Sequence, residues 1–214
     1  MNQKLIIIVI IVVIILAIGI GTTIALNNKN KNQDIDNNTQ NNQENDEPQE
    51  NQNNTNNNQS IVVYFSATGN TEKIAKYISE TLNIDTIEII PENKYTSDDL
   101  NYGNNNSRSN REQNDSNARP TIRNQIDVSS YDTIYLGYPI WWGTVPKIIL
   151  TFLDTNNLDG KTIVPFCTSG SSEISTSVNN LRSYNTNMQV IDGRRFSPTA
   201  TKSEVSTWLN EINK

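Results

Sequence analysis

SIVVYFSATGNT, residues 60–71, decides how the rest of the chain is read: an apolar run stops in a loop of hydroxyls, glycine and asparagine, and an amphipathic segment follows. Ile61–Phe65 has the unbroken apolar character of a strand buried on both faces. From Thr71 to Leu82, Ile74, Ala75, Ile78 and Leu82 recur at helical spacing. Strand, polar loop and helix in immediate succession make an anion-binding device, because the first N–H groups of a helix lack partners within it and point at the loop.

Downstream of this stretch the same alternation continues to the end of the chain. Residues 85–90 (DTIEII) predict a second strand, Thr133–Tyr138 a third and residues 162–167 a fourth, with a weaker fifth somewhere in 187–196. Between the second and third, residues 91–125 are too rich in Asn, Ser and charge for core, with room for a short helical piece at Ser97–Tyr102. Pro146 suits a first helical turn and is followed by an apolar stripe of Ile148, Ile149, Phe152 and Leu153. Ile174, Val178 and Leu181 mark another helix, and Thr201 with Glu204 forms a capping box ahead of Val205, Trp208, Leu209 and Ile212. Five strands alternating with helices predict an α/β fold with a parallel sheet covered on both sides. Such sheets bind ligands outside the carboxyl ends of their strands.

Three loops fall at that edge, and all three have unusual chemistry. Loop one, Ser66-Ala67-Thr68-Gly69-Asn70-Thr71, offers three hydroxyls and an amide beside a helix start, with Gly69 free to turn. It has no GxxxxGK[ST] pattern and no lysine, so a single phosphate held by neutral donors fits better than a nucleoside triphosphate with magnesium. Its bland alternative is an ordinary strand-to-helix turn. Loop two, Tyr138-Pro139-Ile140-Trp141-Trp142-Gly143-Thr144, places two tryptophans side by side; a planar ligand would use one as a stacking face, and the alternative is that both plug the core. Loop three, Thr168-Ser169-Gly170-Ser171-Ser172, lets backbone and small donors approach a polar ring edge.

What is missing narrows the chemistry further. The chain has no histidine, which excludes Ser-His-Asp and Cys-His nucleophiles, imidazole metal sites and a histidine general base. Cys167 is the single cysteine, so no intrachain disulfide forms, and at the end of a strand-like run it reads as a buried inert thiol. The position six residues beyond it, where a phosphatase-type nucleophile needs arginine, is Glu173. No side chain is nominated as a catalytic acid or base. Residues 60–214 carry 14 Lys plus Arg against 17 Asp plus Glu, a balance that argues against nucleic acid as a partner.

With these residues in view, residues 60–214 resemble the flavodoxin family. YFSATGNT (64–71) matches the family's phosphate loop, while YDTIYLGYPIWWGTVPKIILTFLD (131–154) and KTIVPFCTSGSSE (161–173) resemble a branch with YPIWWG and CTSG loops. The resemblance implies a flavodoxin-like three-layer sandwich, a five-stranded parallel sheet of order 2-1-3-4-5, FMN as cofactor and electron transfer through the flavin. It also implies that Ser66, Ala67, Thr68, Gly69, Asn70 and Thr71 make up the phosphate site. Pro139, Ile140, Trp141, Trp142 and Gly143 would flank the isoalloxazine, with Thr168, Ser169 and Gly170 closing on its other edge. Partners would be a redox protein or a small electron acceptor such as a quinone. Two departures favour a reductase over a shuttle: loop three lacks an aromatic for the second flavin face, and the domain is only mildly acidic. A non-redox surface module that keeps the fold is the reading from a different class.

Ahead of the domain, residues 1–4 form a short tail and residues 5–26 (LIIIVIIVVIILAIGIGTTIAL) run 22 residues without a charge. That length crosses a hydrocarbon core of roughly 30 Å as one helix, so the segment reads as a transmembrane anchor, with a cleaved secretory signal as the alternative. Asn or Gln fills 21 of the 33 positions in 27–59, a composition that cannot bury enough surface to fold and serves as a flexible tether. Lys4 on one side and Lys29 and Lys31 on the other nearly balance. The tether-like composition favours a domain on the extracytoplasmic side of the membrane.

Overall fold

The computed structural model of the protein describes residues 59–213. The expected anchor at 5–26 and the tether at 27–59, Gln59 apart, lie outside the described residues. Among those described, no helix is long and apolar enough to cross a membrane.

The chain runs β1 (Ser60–Tyr64), α1 (Asn70–Leu82), β2 (Thr86–Glu88), α2 (Arg108–Asn114), β3 (Thr133–Pro139), α3 (Lys147–Thr155), β4 (Thr162–Thr168), α4 (Ser175–Tyr184), β5 (Gln189–Val190), β6 (Arg194–Phe196) and α5 (Lys202–Ile212). Every pairing is parallel and the strand order is 2-1-3-4-5, as the family resemblance implies, with β6 also paired to β4. Successive strand residues point to opposite faces, and both faces are covered. Ile61, Val63, Ile134, Leu136 and Ile163 face α3 and α4 through Ile148, Ile149, Phe152, Val178 and Leu181. Val62, Tyr64, Tyr135, Val164 and Phe166 face α1 and α5 through Ile74, Ala75, Ile78, Val205, Trp208 and Leu209. Most of these side chains are fully buried, each stabilising the fold by roughly 1.5–3 kcal/mol relative to exposure. The capping box of α5 is complete: Thr201 N–H donates to Glu204 Oε2 at 2.8 Å and Glu204 N–H to Thr201 Oγ1 at 3.3 Å.

Two features differ from the sequence expectation. The fifth strand is two pieces, and Pro165 explains the break. Ile191 N–H donates to Ile163 O at 3.1 Å, so the next residue of β4 aimed at this edge is Pro165, which has no N–H to offer. The edge chain leaves the ladder there and passes so close that a Cβ on Gly193 would lie 2.4 Å from Pro165 O. The second difference is the position of the helix in 91–125, which forms at Arg108–Asn114 while residues 97–100 make only a turn. Thr96 N–H and Oγ–H both donate to Asp99 Oδ2 at 2.9 Å, closing that turn on itself, and Gly103 with three asparagines cannot extend it. The polar segment is nonetheless packed. Ser109 and Asn110 are buried, with Asn110 Nδ2 donating to Asn104 O at 2.8 Å.

Candidate functional site

All three unusual loops meet at the carboxyl edge of the sheet around a cleft of about 270 Å³. Its wall is made by Ala67, Thr68, Asn70 and Thr71 from loop one, Pro139, Ile140 and Trp141 from loop two, and Thr168, Ser169 and Gly170 from loop three. Leu100, Tyr102 and Pro198 complete it, and no charged side chain belongs to the lining. Of the residues implicated by sequence, Ser66, Gly69, Trp142 and Gly143 belong to the loops but not to the cleft wall.

Loop one has the features of an anion cradle. Gly69 sits at φ 84°, where a Cβ is costly, and its carbonyl receives the first bond of α1, from Lys73 N–H at 3.1 Å. No side chain caps α1, so its N-terminal end keeps its capacity for an acceptor from outside. Asn70 Nδ2 donates to Thr68 Oγ1 at 3.2 Å and shapes the loop. Ser66 Oγ is buried without a hydrogen-bond partner, an arrangement that costs stability unless a ligand supplies one. These donors fit a phosphate monoester.

Loop two separates its two tryptophans, so they do not both plug the core. Trp141 is buried and packs edge-on against Phe65 and Tyr95, with ring centroids 5.6 and 5.1 Å away. Trp142 is 40 % exposed, and its ring lies 4.6 Å from that of Tyr102 at a tilt of 40°. Backbone geometry explains the split. Trp141 and Thr144 exchange N–H···O bonds of 3.0 Å, and the two residues between them have φ of 48° and 77°. Positive φ at both central positions defines a type I′ turn. Gly143 suits it; a tryptophan there is strained by about 1–3 kcal/mol and persists only where its surroundings hold it.

Loops two and three are tied to each other and to loop one. Ile140 N–H donates to Thr168 O at 3.2 Å, and the Thr168 hydroxyl is hydrogen-bonded to that of Thr71. Arg195 donates to Ser169 O at 3.1 Å and holds loop three from below, with Glu173 3.5 Å from its guanidinium. Cys167 has no exposure, and burial pushes its thiol up to about 12, an environment that disfavours the reactive thiolate. Burial likewise raises the Tyr138 hydroxyl, which lies 3.1 Å from Ser177 Oγ. Among the described residues no cluster of acidic or cysteine side chains could hold a metal.

Leu100, Tyr102 and Pro198 were not singled out from sequence. A signal existed for the first two, since they are apolar residues standing in the polar 91–125 segment. Pro198 carries no such mark, and its carbonyl is fixed by Lys73 Nζ.

The family described as flavodoxin matches residues 59–212. A solved structure from Bacteroides uniformis, provisionally described as a flavoprotein, is 39 % identical with a TM-score of 0.68, covering 71 % of this chain and 97 % of that one. Its counterpart from Bacteroides eggerthii is 38 % identical with a TM-score of 0.68, covering 72 % and 98 %. A flavoprotein from Lactobacillus acidophilus, solved in complex with FMN, shares the fold at a TM-score of 0.53 and 24 % identity over 70 % of this chain and 97 % of its own. No curated protein matches. With sheet order, three-loop edge and sequence match in agreement, the chain belongs to the flavodoxin family.

Proposed function

We propose that the cleft holds FMN and that the protein transfers electrons through it. The observation that carries this reading is the pairing of a neutral anion cradle with an apolar wall: the uncapped start of α1 with Thr68, Asn70 and Thr71 at one end, Pro139, Ile140 and Trp141 at the other. FMN bound there supplies one- or two-electron redox chemistry, while the protein sets its position, its solvent exposure and its potential. Loop one holds the phosphate through backbone N–H groups and the hydroxyls of Ser66, Thr68 and Thr71. The type I′ turn of loop two would present backbone to the ring, and Gly143 would let the 142–143 peptide turn toward the ring nitrogen that gains a proton on reduction. Loop three borders the opposite edge with small groups.

Loop three brings no aromatic to the ring, so no side chain of that loop would stack on the second flavin face. This favours a reductase of quinones or similar planar compounds over a shuttle to a protein partner. The uncharged run at 5–26 supports a membrane-tethered protein, and the tether-like composition of 27–59 favours its domain on the extracytoplasmic side. Its test is protease accessibility of the domain in intact cells, together with retention of the chain in membranes after alkaline carbonate washing.

The decisive experiment for the cofactor adds full-length protein to FMN and follows quenching of flavin fluorescence. Saturable quenching at micromolar protein is expected, with riboflavin bound more weakly. No quenching at that concentration sinks the redox reading. Reductive titration then separates the subclasses: a reductase takes up two electrons in one step, a shuttle in two resolved steps.

A further inference from the structure

Gln113, on α2, does not line the cleft, yet its side-chain amide is spent on the turn of loop two and the backbone that follows it. Its Nε2 donates to Trp141 O at 3.1 Å and to Val145 O at 3.2 Å, and its Oε1 accepts from Lys147 N–H at 3.1 Å. These groups bracket the turn: Trp141 opens it, Val145 follows its last residue, and Lys147 begins α3, where Pro146 provides no side-chain cap. Two donors and an acceptor within one planar group are what the three partners require. Glutamate lacks the donors, lysine lacks the acceptor, and leucine has neither. The turn so gripped is the strained one, with Trp142 at φ 48°. Tyr95, from the same stretch between β2 and β3, packs against the Trp141 ring, so this stretch holds loop two by ring and backbone together.

We infer that Gln113 is the positioning residue of loop two, fixing the direction of the 142–143 peptide and thereby the affinity and potential of the flavin beside it. The inference rests on the proposed FMN reading for its second half; the first half, that Gln113 holds the turn, stands on this chain's own hydrogen bonds. Asn180 Nδ2 also reaches the loop, at 2.8 Å from Thr144 Oγ1, but it touches a side chain and leaves the backbone direction unset.

The test compares full-length wild type with Gln113→Leu, which keeps the bulk and removes all three bonds, and Gln113→Glu, which keeps only the bond from Lys147 N–H. Amide hydrogen exchange without flavin is expected to quicken about tenfold or more over residues 141–147 in both variants, as loss of two or three hydrogen bonds implies, with β1 and β4 unchanged. Unchanged exchange over 141–147, or a rise spread evenly across the chain, overturns the role whether or not FMN binds. With FMN, both variants are expected to bind about tenfold more weakly and to show a shifted midpoint potential. A loosened loop with wild-type affinity and potential overturns the flavin-positioning half. Wild type that fails to bind FMN overturns that half together with the proposed function, and the exchange result still decides the first.

Discussion

The hydroxyl of Thr71 lies 2.7 Å from the hydroxyl of Thr168, joining the start of α1 to the end of β4 across 97 residues of sequence. Both side chains are buried and both border the cleft, and between two hydroxyls only one hydrogen lies in the shared bond. The other hydrogen is free to serve a ligand. Thr71→Val keeps the shape and strands the Thr168 hydroxyl, which costs about 1–3 kcal/mol. Urea denaturation of the flavin-free protein is expected to show that loss, with weaker FMN binding alongside; an unmoved midpoint contradicts it.

Loop one is expected to discriminate by phosphate. Replacing Thr68 or Asn70 by a bulky residue obstructs the cradle and should weaken FMN far more than riboflavin, by about tenfold or more, since charge-assisted bonds to phosphate are each worth roughly 1.5–3 kcal/mol. Fluorescence titration of both flavins checks this. Equal losses would put the phosphate elsewhere.

Gly143 separates conformation from space. A Cβ there meets nothing within 4 Å, yet φ is 77°, so Gly143→Val is strained by the backbone alone, by roughly 1–2 kcal/mol. The variant is expected to fold and to shift the flavin potential by altering the peptide proposed to lie beside the ring. Unchanged potentials argue against that peptide contact.

Gly137 is the opposite case. A Cβ on this β3 residue would lie 2.2 Å from Phe166 Cζ, within the core on the α1 and α5 side. Gly137→Ala should destabilise by about 1–3 kcal/mol, and Phe166→Leu in the same chain should recover part of the loss. Denaturant midpoints of the single and double variants test both statements.

Burial of Cys167 links stability to alkaline pH. Its folded thiol is pushed from an ordinary 9.0 to about 12, so the folded state keeps a proton that the unfolded chain gives up sooner. The contribution is fully present below about pH 9 and is lost as pH rises toward 12. Cys167→Ala should flatten the alkaline decline in stability, and native protein should resist thiol reagents that label it at once in denaturant.

Much of this architecture was readable from residues, because the apolar runs and helical stripes that mark strands and helices are also what the two core faces consume. Ile61–Phe65, the 74–75–78 stripe and the Thr201 cap needed nothing beyond local pattern. The split at the fifth strand was not local: it follows from Pro165 on a neighbouring strand, and only the pairing of β4 with its edge partner reveals it. The fate of the two tryptophans was equally hidden, since it depends on a type I′ turn held from outside. Gln113 and Tyr102 come from a segment whose composition masks its packing, where buried amides such as Asn110 satisfy backbone carbonyls instead of filling apolar space.

The broken edge strand has a meaning beyond the site. An open sheet invites the strand of another molecule wherever a long row of backbone groups lies unpaired. Here one border is β2, with three residues in register, and the other is two short pieces kinked apart opposite a proline. Both borders are short or broken, which blunts the template for intermolecular strand addition. Proline at position 165 thus shortens the run of backbone groups at that border, much as short edge strands limit strand addition elsewhere.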